Sequence, residues 1–285
     1  MTAEPTRPCV VTGAGRGIGR ALAQHLAENG RPLALCARSG DELEHTASLA
    51  REHGVTVVTQ VVDVADAAAV DAFASAVATE LGPPWAVVNN AAILGPVGPV
   101  DDVDMTDWMH ALLVDVGGVA ASIRAFVPGM RAAGGGRIIN LSGGGIGGPG
   151  VQQNTSAYTA SKAAVAVLTE TLGRELDGVI TVNAVAPGAQ PTALVDQVVS
   201  AGPQRAGDEL YQAMVGFQAA QASLDGFFSI VDFLLSAESA WLTGKLLSAR
   251  WDNVPALRDA RDRLEHSSLL TVRRIDGVLF SEVTP

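Results

Sequence analysis

Short apolar runs alternate along this chain with longer segments in which apolar residues recur every three or four positions. The runs predict buried strands, and the 3.6-residue period predicts helices that pack against them. The predicted strands cover residues 8–11, 33–37, 55–62, 86–89, 137–141, 180–185 and 245–249. This alternation is typical of a wound α/β fold, in which helices cover a sheet.

The segments between the strands predict helices and a few irregular stretches. A helix follows a glycine-rich turn after the first strand, and Ser39 with Glu42 forms a capping box that starts the next helix. Further helices are predicted at residues 67–81, 106–133, 156–177, 227–235 and 252–266. Residues 192–225 show no clean period and are interpreted as a mobile substrate lid, assigned to about 189–225. The pattern predicts one domain over residues 1–250 and a C-terminal extension over 251–285, which could roof the site or cross a subunit interface.

Composition narrows the class of protein. With 285 residues, 48% of them hydrophobic, the chain can bury a core without a metal or a disulfide, and its histidines show no metal-ligand spacing. The net charge of −11 argues against nucleic acid as a partner, because phosphate would be repelled. Cys9 and Cys36 fall in predicted strands, which favours reduced core thiols. The N-terminus has no apolar signal core and no uninterrupted apolar run is long enough for a bilayer, so we expect a cytoplasmic protein without a membrane partner.

A glycine-rich turn joins the first strand to the first helix. The segment from Thr12 to Gly19 has the sequence TGAGRGIG. Glycines let the backbone approach a pyrophosphate, which then binds amide donors and the positive end of the helix dipole. A glycine pattern alone occurs in ordinary turns, but its place between a strand and a helix favours a dinucleotide site. The residues assigned to cofactor binding here are Gly13, Gly15, Arg16, Gly17, Ile18 and Gly19.

Two arginines indicate which dinucleotide is bound. The end of the second strand should meet the adenosine ribose, where an Asp or Glu would grip the hydroxyls of NAD. This chain instead has Arg38 followed by Ser39, with Arg16 in the glycine turn. Two guanidinium groups suit a 2′-phosphate, so NADP(H) is favoured and NAD(H) stays possible. The alternative is that both arginines are solvated surface residues.

Two further strand ends carry candidate cofactor contacts. Asp63 and Val64 follow the third strand, and Asp63 could either accept a hydrogen bond from the adenine amine or cap the helix that starts near Asp66. The fourth strand closes with Asn89, Asn90, Ala91 and Ala92, of which the last three are assigned to the cofactor. Small residues there would let the cofactor pass close to the backbone, although an ordinary polar strand end has the same pattern.

Tyr158 and Lys162 form the pair on which the predicted chemistry depends. They are four positions apart on a predicted helix and therefore lie on one face. A free tyrosine has a pKa near ~10, and lowering it to neutrality takes roughly 4 kcal/mol. The electrostatic attraction from an adjacent ammonium, together with that from a positively charged cofactor ring, can supply a free energy of this size. Chance placement on an amphipathic helix is the alternative, and the glycine turn and the Asn-Asn-Ala-Ala stretch in the same chain argue against it.

Together these motifs resemble the short-chain dehydrogenase/reductase family. The resemblance runs from about residue 8 to residue 249 and rests on the glycine turn, the Asn-Asn-Ala-Ala stretch, the Tyr158–Lys162 pair and the dipeptide Pro187-Gly188. It implies a doubly wound Rossmann-type fold with a seven-stranded parallel sheet, a nicotinamide cofactor, and homodimers or homotetramers. It also implies an oxidoreductase of the ketoreductase kind that acts on a small-molecule carbonyl or alcohol.

The resemblance further implies roles for individual residues. In the reducing direction, hydride passes from the nicotinamide to a carbonyl carbon while Tyr158 donates a proton to the oxygen. Lys162 would lower the pKa of the phenol and hold the nicotinamide ribose. Thr192 would contact the carboxamide, and Pro187 and Gly188 would line the cofactor.

Two positions depart from the family pattern. The serine that bonds the substrate oxygen falls within residues 143–145, which are all glycine, and the nearest hydroxyl is Ser142. The asparagine that supports a water-mediated proton relay is replaced by Asp115, which when ionised can accept hydrogen bonds but cannot donate them. Asp115 is either part of such a relay or a structural helix carboxylate. Ser142 and Asp115 are therefore candidate catalytic residues beside Tyr158 and Lys162.

The leading hypothesis is an NADP(H)-dependent oxidoreductase that interconverts a ketone and a secondary alcohol, with Tyr158 as the proton donor or acceptor. The missing serine leaves open a redox-neutral enzyme, an epimerase or dehydratase, that retains its nicotinamide. A third hypothesis is a catalytically silent, cofactor-sensing protein. It is disfavoured because such a protein has no need of both Tyr158 and Lys162.

Overall fold

Seven parallel strands form one sheet in the computed structural model, which describes residues 7–143, 146, 152–188, 190–219 and 223–273. The strands are β1 (Cys9–Thr12), β2 (Leu33–Ala37), β3 (Val57–Val61), β4 (Ala86–Asn89), β5 (Gly136–Leu141), β6 (Ile180–Ala186) and β7 (Leu246–Ser248). They lie in the order β3-β2-β1-β4-β5-β6-β7, and every neighbouring pair is parallel. The prediction of a doubly wound, seven-stranded parallel sheet is confirmed.

Helices connect the strands and cover both faces of the sheet. They are α1 (Gly17–Glu28), α2 (Gly40–Arg51), α3 (Ala67–Glu80), α4 (Met105–Leu112), α5 (Gly118–Ala132), α6 (Ser156–Glu175), α7 (Ala193–Ala206), α8 (Asp208–Ala219), α9 (Asp225–Leu235), α10 (Val254–Asp259) and α11 (Arg261–Leu264). A π-helical turn, Leu113–Gly117, joins α4 to α5, and a 3-10 turn, Ala237–Ser239, follows α9.

Alternate residues of the strands enter two separate hydrophobic cores. Cys9 and Val11 of β1 pack with α1 and α9 on one face, whereas Val10 packs with α3 and α5 on the other. A strand that is buried on both faces must be apolar at every position, which explains the continuous apolar runs of the sequence.

The order of the strands creates a crevice beside β1. The chain leaves β1 for β2 on one side and later returns to β4 on the other, so the connections after β1 and β4 diverge. In open α/β sheets, ligands bind outside the carboxyl ends of the strands at such a point. The glycine turn after β1 and the Asn-Asn-Ala-Ala stretch after β4 meet there.

Most of the segment interpreted as a substrate lid is helical, and its role as a lid stays a prediction. It contains α7 and α8, and α7 has a kink at Gly202, whose φ is +75°, followed by Pro203. The kink interrupts the apolar period, which is why the sequence shows no clean helical pattern. The predicted helix at 252–266 is likewise divided into α10 and α11 at Ala260.

The first part of the C-terminal extension belongs to the main fold. Val254, Leu257 and Leu264 are buried in the same core as α1 and α9. Lys245 Nζ donates to the carbonyls of Ser267 (2.6 Å) and Leu269 (3.2 Å), and the Leu246 amide donates to the Leu270 carbonyl (2.7 Å). Residues 264–270 therefore run along the outer edge of β7. Residues 274–285 lie outside the described part of the chain.

One helical run has the length and composition of a membrane span, which the sequence analysis did not anticipate. It covers Met105–Ala132, with a mean hydropathy of 1.5, and half of its most apolar window is buried inside the protein. Its α5 part packs against the sheet as a core helix does. Both cysteines are buried, and burial raises the pKa of the Cys36 thiol to about 12, as expected of an inert core residue.

Candidate active site

The glycine turn can be built only from glycines at several of its positions. Gly13 and Gly17 have φ values of +64° and +55°, which favour glycine. A Cβ on Gly13 would lie 2.7 Å from Ala91 Cα, and a Cβ on Gly19 would collide with the Gly13 carbonyl oxygen. The turn therefore lies directly against the segment after β4, and its backbone forms an open floor.

Asn90 ties that segment to the glycine turn. Its Nδ2 donates to the carbonyls of Thr12 (2.8 Å) and Gly13 (3.0 Å), while Thr12 Oγ1 accepts from the amides of Asn90 and Ala91. The side-chain amide of Asn90 therefore holds the backbone of the glycine turn in place.

Two residues that the sequence analysis did not identify hold the other side of the turn. The Gly15 carbonyl accepts from Arg20 Nε (3.1 Å) and from Thr46 Oγ1 (3.2 Å). Arg20 lies on α1 and Thr46 on α2, so the contact joins both helices to the turn. Nothing in the local sequence distinguishes these two side chains from ordinary helix residues.

The turn opens into a cleft of about 870 Å³, called here the glycine-turn cleft. Most of the predicted cofactor residues line it: Gly13, Gly15, Arg16, Gly17, Ile18, Gly19, Arg38, Ser39, Asp63, Val64, Asn90, Ala91, Ala92, Pro187 and Thr192, together with Ser142. Tyr158, Lys162, Asp115 and Gly188 do not line it. The sequence motifs therefore converge on one cleft, and the Tyr158–Lys162 pair lies behind its wall.

One end of the cleft carries opposite charges. Arg16 and Arg38 both line it, and Arg16 Nη1 lies 3.6 Å from Glu42 Oε1. Ser39 Oγ accepts from the Glu42 amide (3.4 Å), which is half of the predicted capping box, but the Glu42 carboxylate turns towards Arg16 and the glycine turn. Glu42 is thus a cleft residue that the sequence analysis assigned only to a helix cap.

Asp63 has a local partner in this structure. Its Oδ1 accepts from the Ala65 amide (2.9 Å), while Asp66 Oδ1 accepts from the amides of Ala68 and Ala69 at the start of α3. The helix cap is therefore Asp66. Asp63 forms a turn at the edge of the cleft.

Tyr158 and Lys162 lie one turn apart on α6, as their spacing predicts. Lys162 Nζ is 5.5 Å from the centroid of the Tyr158 ring and donates to the Leu141 carbonyl (3.1 Å). Lys162 is only 3% exposed. The phenol packs against an apolar cluster described below.

Gly143 is the residue that faces the Tyr158 hydroxyl. A Cβ at this position would lie 2.6 Å from Tyr158 Oη, so the glycine leaves room for the phenol. Ser142 is 3% exposed, its hydroxyl has no hydrogen-bond partner among the described residues, and it lines the glycine-turn cleft. Of the three glycines in which the family serine was expected, Gly144 and Gly145 lie outside the described residues.

Asp115 is fully buried in the π-helical turn between α4 and α5. Its Oδ1 accepts from the Ile93 amide (2.9 Å), and its Oδ2 accepts from Ser161 Oγ (2.7 Å). Ser161 precedes Lys162 on α6, so the carboxylate lies beside the predicted catalytic pair. Turns of this kind are often found at functional sites.

Burial and neighbouring charges act on the ionisable groups of this site. Burial raises the pKa of Tyr158 well above its usual value, and the negative charge of Asp115 raises it further. Burial lowers the pKa of Lys162, and Asp115 opposes that change. Burial raises the pKa of Asp115, while Lys162, the Ile93 amide and Ser161 oppose it. That Lys162, together with the cofactor ring, lowers the pKa of the phenol stays a prediction.

A third apolar cluster, the substrate-side cluster, encloses Tyr158. It consists of Leu94, Val97, Val195, Val198, Ala206, Leu210 and Met214, with Tyr158, Leu194, Tyr211 and Phe217 among the residues packed against it. Leu94 and Leu194 also line the glycine-turn cleft. These two leucines therefore lie where the cleft and the substrate-side cluster meet.

Polar contacts fasten α7 to the loop that precedes α4. Arg205 Nε donates to the Val97 carbonyl (2.9 Å), and Arg205 Nη1 donates to Asp102 Oδ2 (2.9 Å). Gln197 Nε2 donates to the Gly95 carbonyl (2.7 Å). The α7–α8 segment is thus held over Tyr158 by a small set of long-range bonds.

The geometry fits a dinucleotide. The floor at Gly13 and Gly19 would be blocked by any Cβ, and the buried Ser142 hydroxyl at the wall lacks a partner. Such a cradle lets a pyrophosphate approach backbone amides at the start of α1. Within the described residues, no group of three or more His, Cys, Asp or Glu side chains is arranged to hold a metal ion.

Known proteins share this sequence and fold. The sequence profile of the short chain dehydrogenase family matches residues 8–202. The chain is 35% identical over 242 residues to galactitol 2-dehydrogenase of Rhizobium johnstonii, which covers 84% of this chain and 91% of the relative. It is similar to the structure of NAD+-bound xylitol dehydrogenase (TM-score 0.77, 31% identity, 87% of this chain and 98% of that chain). It is also similar to an actinorhodin polyketide ketoreductase with NADPH (TM-score 0.76, 28% identity, 85% of this chain and 95% of that chain).

Proposed function

The chain belongs to the short-chain dehydrogenase/reductase family of oxidoreductases, and we propose that it interconverts a ketone and a secondary alcohol with NADP(H). One observation carries the proposal: the phenol of Tyr158 and the amine of Lys162 lie on one face of α6, immediately behind a cleft with a glycine floor. A proton donor beside a dinucleotide site is the arrangement that carbonyl reduction requires.

The residues that would hold the dinucleotide are the glycine turn, the segment after β4 and the first turn of α7. When bound, the nicotinamide supplies or accepts the hydride. The amides at the start of α1 would bind the pyrophosphate, and Thr192 at the start of α7 also lines the cleft, close to Gly17.

Tyr158 acts as the acid in reduction and as the base in oxidation. Its hydroxyl faces Gly143, where no side chain competes for the substrate oxygen. Lys162, anchored to the Leu141 carbonyl, keeps a positive charge beside the phenol. Ser142 Oγ is the second donor within the wall of the cleft, because it is buried and has no other partner among the described residues.

The preference for NADP(H) is part of the proposal. Arg16 and Arg38 line the adenosine end of the cleft, and guanidinium groups suit a 2′-phosphate. Glu42 opposes the preference, since its carboxylate lies among them and pairs with Arg16. Replacement of Arg38 by Asp should weaken NADPH binding by about 10- to 100-fold and NADH binding far less.

Binding titrations of both cofactors test this preference. Arg124→Asp makes the same charge change in an exposed pair with Asp71 away from the cleft and should leave the ratio of the two dissociation constants unchanged. Glu42→Gln should shift the ratio towards NADPH. Equal weakening of NADPH and NADH in Arg38→Asp would remove the arginines from the cofactor argument.

The remaining elements of the proposal are the substrate, the assembly and the location. The apolar cluster around Tyr158 suits a small-molecule carbonyl or alcohol. Met105, Met109 and Leu113 recur at four-residue spacing and are exposed, which supports a homodimer or homotetramer that covers them. The Met105–Ala132 run packs within the α/β fold, which supports a cytoplasmic location.

Replacement of Tyr158 by Phe tests the chemistry. We expect turnover to fall by about 100- to 10,000-fold, because the proton donor is lost, while the dissociation constant for NADPH stays near that of the wild type. Tyr211→Phe changes the other tyrosine of the chain and should keep most of the activity. A Tyr158→Phe protein with full turnover would contradict the mechanism.

The absence of a side chain at Gly143 favours one second candidate, a redox-neutral epimerase or dehydratase that retains its nicotinamide. The two candidates differ in cofactor balance. Net oxidation of NADPH in proportion to product supports the reductase, whereas product formation without net change in NADPH absorbance supports the redox-neutral enzyme.

A further inference from the structure

We propose that Asp115 is the buried counter-ion of this site: its carboxylate keeps the Lys162 amine charged and opposes ionisation of the Tyr158 phenol. Asp115 is then a positioning residue that sets the pH at which the phenol becomes a base. The inference rests on the proposed function only for its effect on turnover, because the charges themselves can be measured without substrate or cofactor.

The hydrogen bonds of Asp115 are compatible with the ionised form. Its Oδ1 accepts from the Ile93 amide at 2.9 Å, and Ser161 Oγ, 2.7 Å from Oδ2, can donate its one proton either to Oδ2 or to the Tyr158 carbonyl at 2.8 Å. A fully buried carboxylate also needs a positive charge nearby to remain ionised. Burial raises the pKa of Asp115, and the charge of Lys162 opposes that change.

Lys162 needs a counter-ion for the same reason. It is 3% exposed, and the one hydrogen bond of its amine in the described structure goes to the Leu141 carbonyl. A buried amine with a single neutral acceptor tends to lose its proton. Among the described residues packed around it, the ionisable groups that act on this site are Asp115 and Tyr158.

The same negative charge acts on the phenol in the opposite sense. Phenolate formation places a second negative charge beside Asp115, so the carboxylate holds Tyr158 in its protonated form. The site therefore balances two effects of one charge. Asp115 keeps the Lys162 amine protonated, and it raises the pH at which the Tyr158 phenol ionises.

Asp115→Asn removes the charge and can keep the hydrogen bonds. Ser161 Oγ lies 2.7 Å from Asp115 Oδ2 and 2.8 Å from the Tyr158 carbonyl, but a hydroxyl has one proton to donate. In the variant, the Asn amide would donate to Ser161, and Ser161 would donate to the Tyr158 carbonyl. The Ile93 amide keeps an oxygen acceptor, so the substitution isolates the effect of charge.

The composition of the chain makes the test specific. It contains two tyrosines, Tyr158 and Tyr211, and two lysines, Lys162 and Lys245. Protein labelled with 3-fluorotyrosine and with carbon-13 at the lysine ε position gives two resonances of each kind. Tyr211→Phe and Lys245→Arg assign them. Fluorine and carbon spectra recorded against pH then report the phenol and the amine separately.

We expect Asp115→Asn to lower the pKa of the Lys162 amine by about one to two units and to make the Tyr158 phenol ionise at lower pH while Lys162 is still charged. Asp107→Asn is the matched control, because it removes the same charge from an exposed position on α4 and should move neither titration. Ser161→Ala keeps the charge and removes one contact, so both titrations should stay near those of the wild type.

An unmoved Lys162 titration, or a Tyr158 phenol that ionises no earlier in Asp115→Asn, overturns the proposal. The proposal would also be overturned if Ser161→Ala shifted the Lys162 and Tyr158 titrations as much as Asp115→Asn does. The loss of a contact, and not the loss of a charge, would then be the cause. In active enzyme, the limb of the oxidation pH profile that reports the phenol should move to lower pH by about one unit in Asp115→Asn. Absence of oxidoreductase activity would count against the proposed function and leave the two titrations as the test of Asp115.

Discussion

The glycine-turn cleft and the substrate-side cluster meet at Leu94 and Leu194, yet they are held together in different ways. The cleft is fixed by backbone: glycines in close contact, carbonyls bonded to Asn90 and Arg20, and positive φ angles. The cluster is fixed by side chains of α7 and α8 packed on a loop that lies about a hundred residues earlier in the chain.

This difference determines which of the two regions tolerates amino-acid substitutions. A floor made of backbone has no room for a Cβ, so nearly any substitution damages it. An enclosure made of aliphatic side chains can be repacked with little loss. A site built in these two halves can acquire a new substrate while it keeps its cofactor.

The largest expected effect comes from a methyl group on the cleft floor. Gly19→Ala should weaken NADPH binding by at least about 100-fold, because the Cβ would collide with the Gly13 carbonyl oxygen and displace the turn. Calorimetric titration of the folded variant measures this. A dissociation constant for NADPH within a few-fold of that of the wild type would show that the backbone of the glycine turn can shift to accept a Cβ at Gly19.

Gly216→Ala makes the matched change in the other half. Gly216 lies inside α8, and nothing lies within 4 Å of the place where its Cβ would be. Alanine should therefore stabilise the protein by about 0.5–1 kcal/mol and leave NADPH binding unchanged. Thermal unfolding of the two variants side by side compares the halves directly.

A smaller effect is expected when the fastening of the substrate-side cluster is removed. Arg205→Met loses the bonds to the Val97 carbonyl and to Asp102 but keeps an apolar stem. We expect KM for the substrate to rise by about 10-fold, with the dissociation constant of NADPH unchanged. Hydrogen exchange should increase in residues 94–103 and 193–219 and remain the same in the glycine turn.

Arg124→Met, in an exposed pair with Asp71, controls for the loss of a surface charge. If it raises KM as much as Arg205→Met does, the α7 contacts have no special role. If exchange in the glycine turn rises with that of α7, the two halves are mechanically coupled and the comparison fails.

The smallest effect is expected at the boundary of the two halves. Ser142→Ala should lower turnover by about 3- to 10-fold, because a buried hydroxyl that has no other partner among the described residues is lost, with little change in NADPH binding. Steady-state kinetics with saturating NADPH measure it. An unchanged rate would show that Ser142 does not fill the serine role.

The sequence predicted which residues come together in the glycine-turn cleft, because the determinants of that cleft are local. Strands β2 and β4 begin and end at the predicted residues, since they are continuous apolar runs bounded by turn residues. The glycine turn has its own short pattern. Fifteen predicted cofactor residues line the cleft, because the carboxyl ends of neighbouring parallel strands necessarily meet.

The rest could not be predicted because it depends on contacts between distant segments. Arg20, Thr46 and Arg205 look like ordinary helix residues until their carbonyl partners are known. Glu42 satisfied a capping pattern, which hid its position in the cleft. Only the fold shows that Gly143, and not its neighbour Ser142, faces the phenol.

The last strand of the sheet has a consequence for how this protein should be handled. Within the described part of the chain, β7 pairs with one strand, β6, and on its other side the Leu246 amide donates to the Leu270 carbonyl while Lys245 Nζ donates to two more carbonyls of the same segment. The tail thus occupies hydrogen-bonding groups that could otherwise recruit strands from other molecules. A protein truncated after residue 251 would expose the edge of β7 and should aggregate. Its precipitation would then reflect this exposed edge and would say nothing about catalysis.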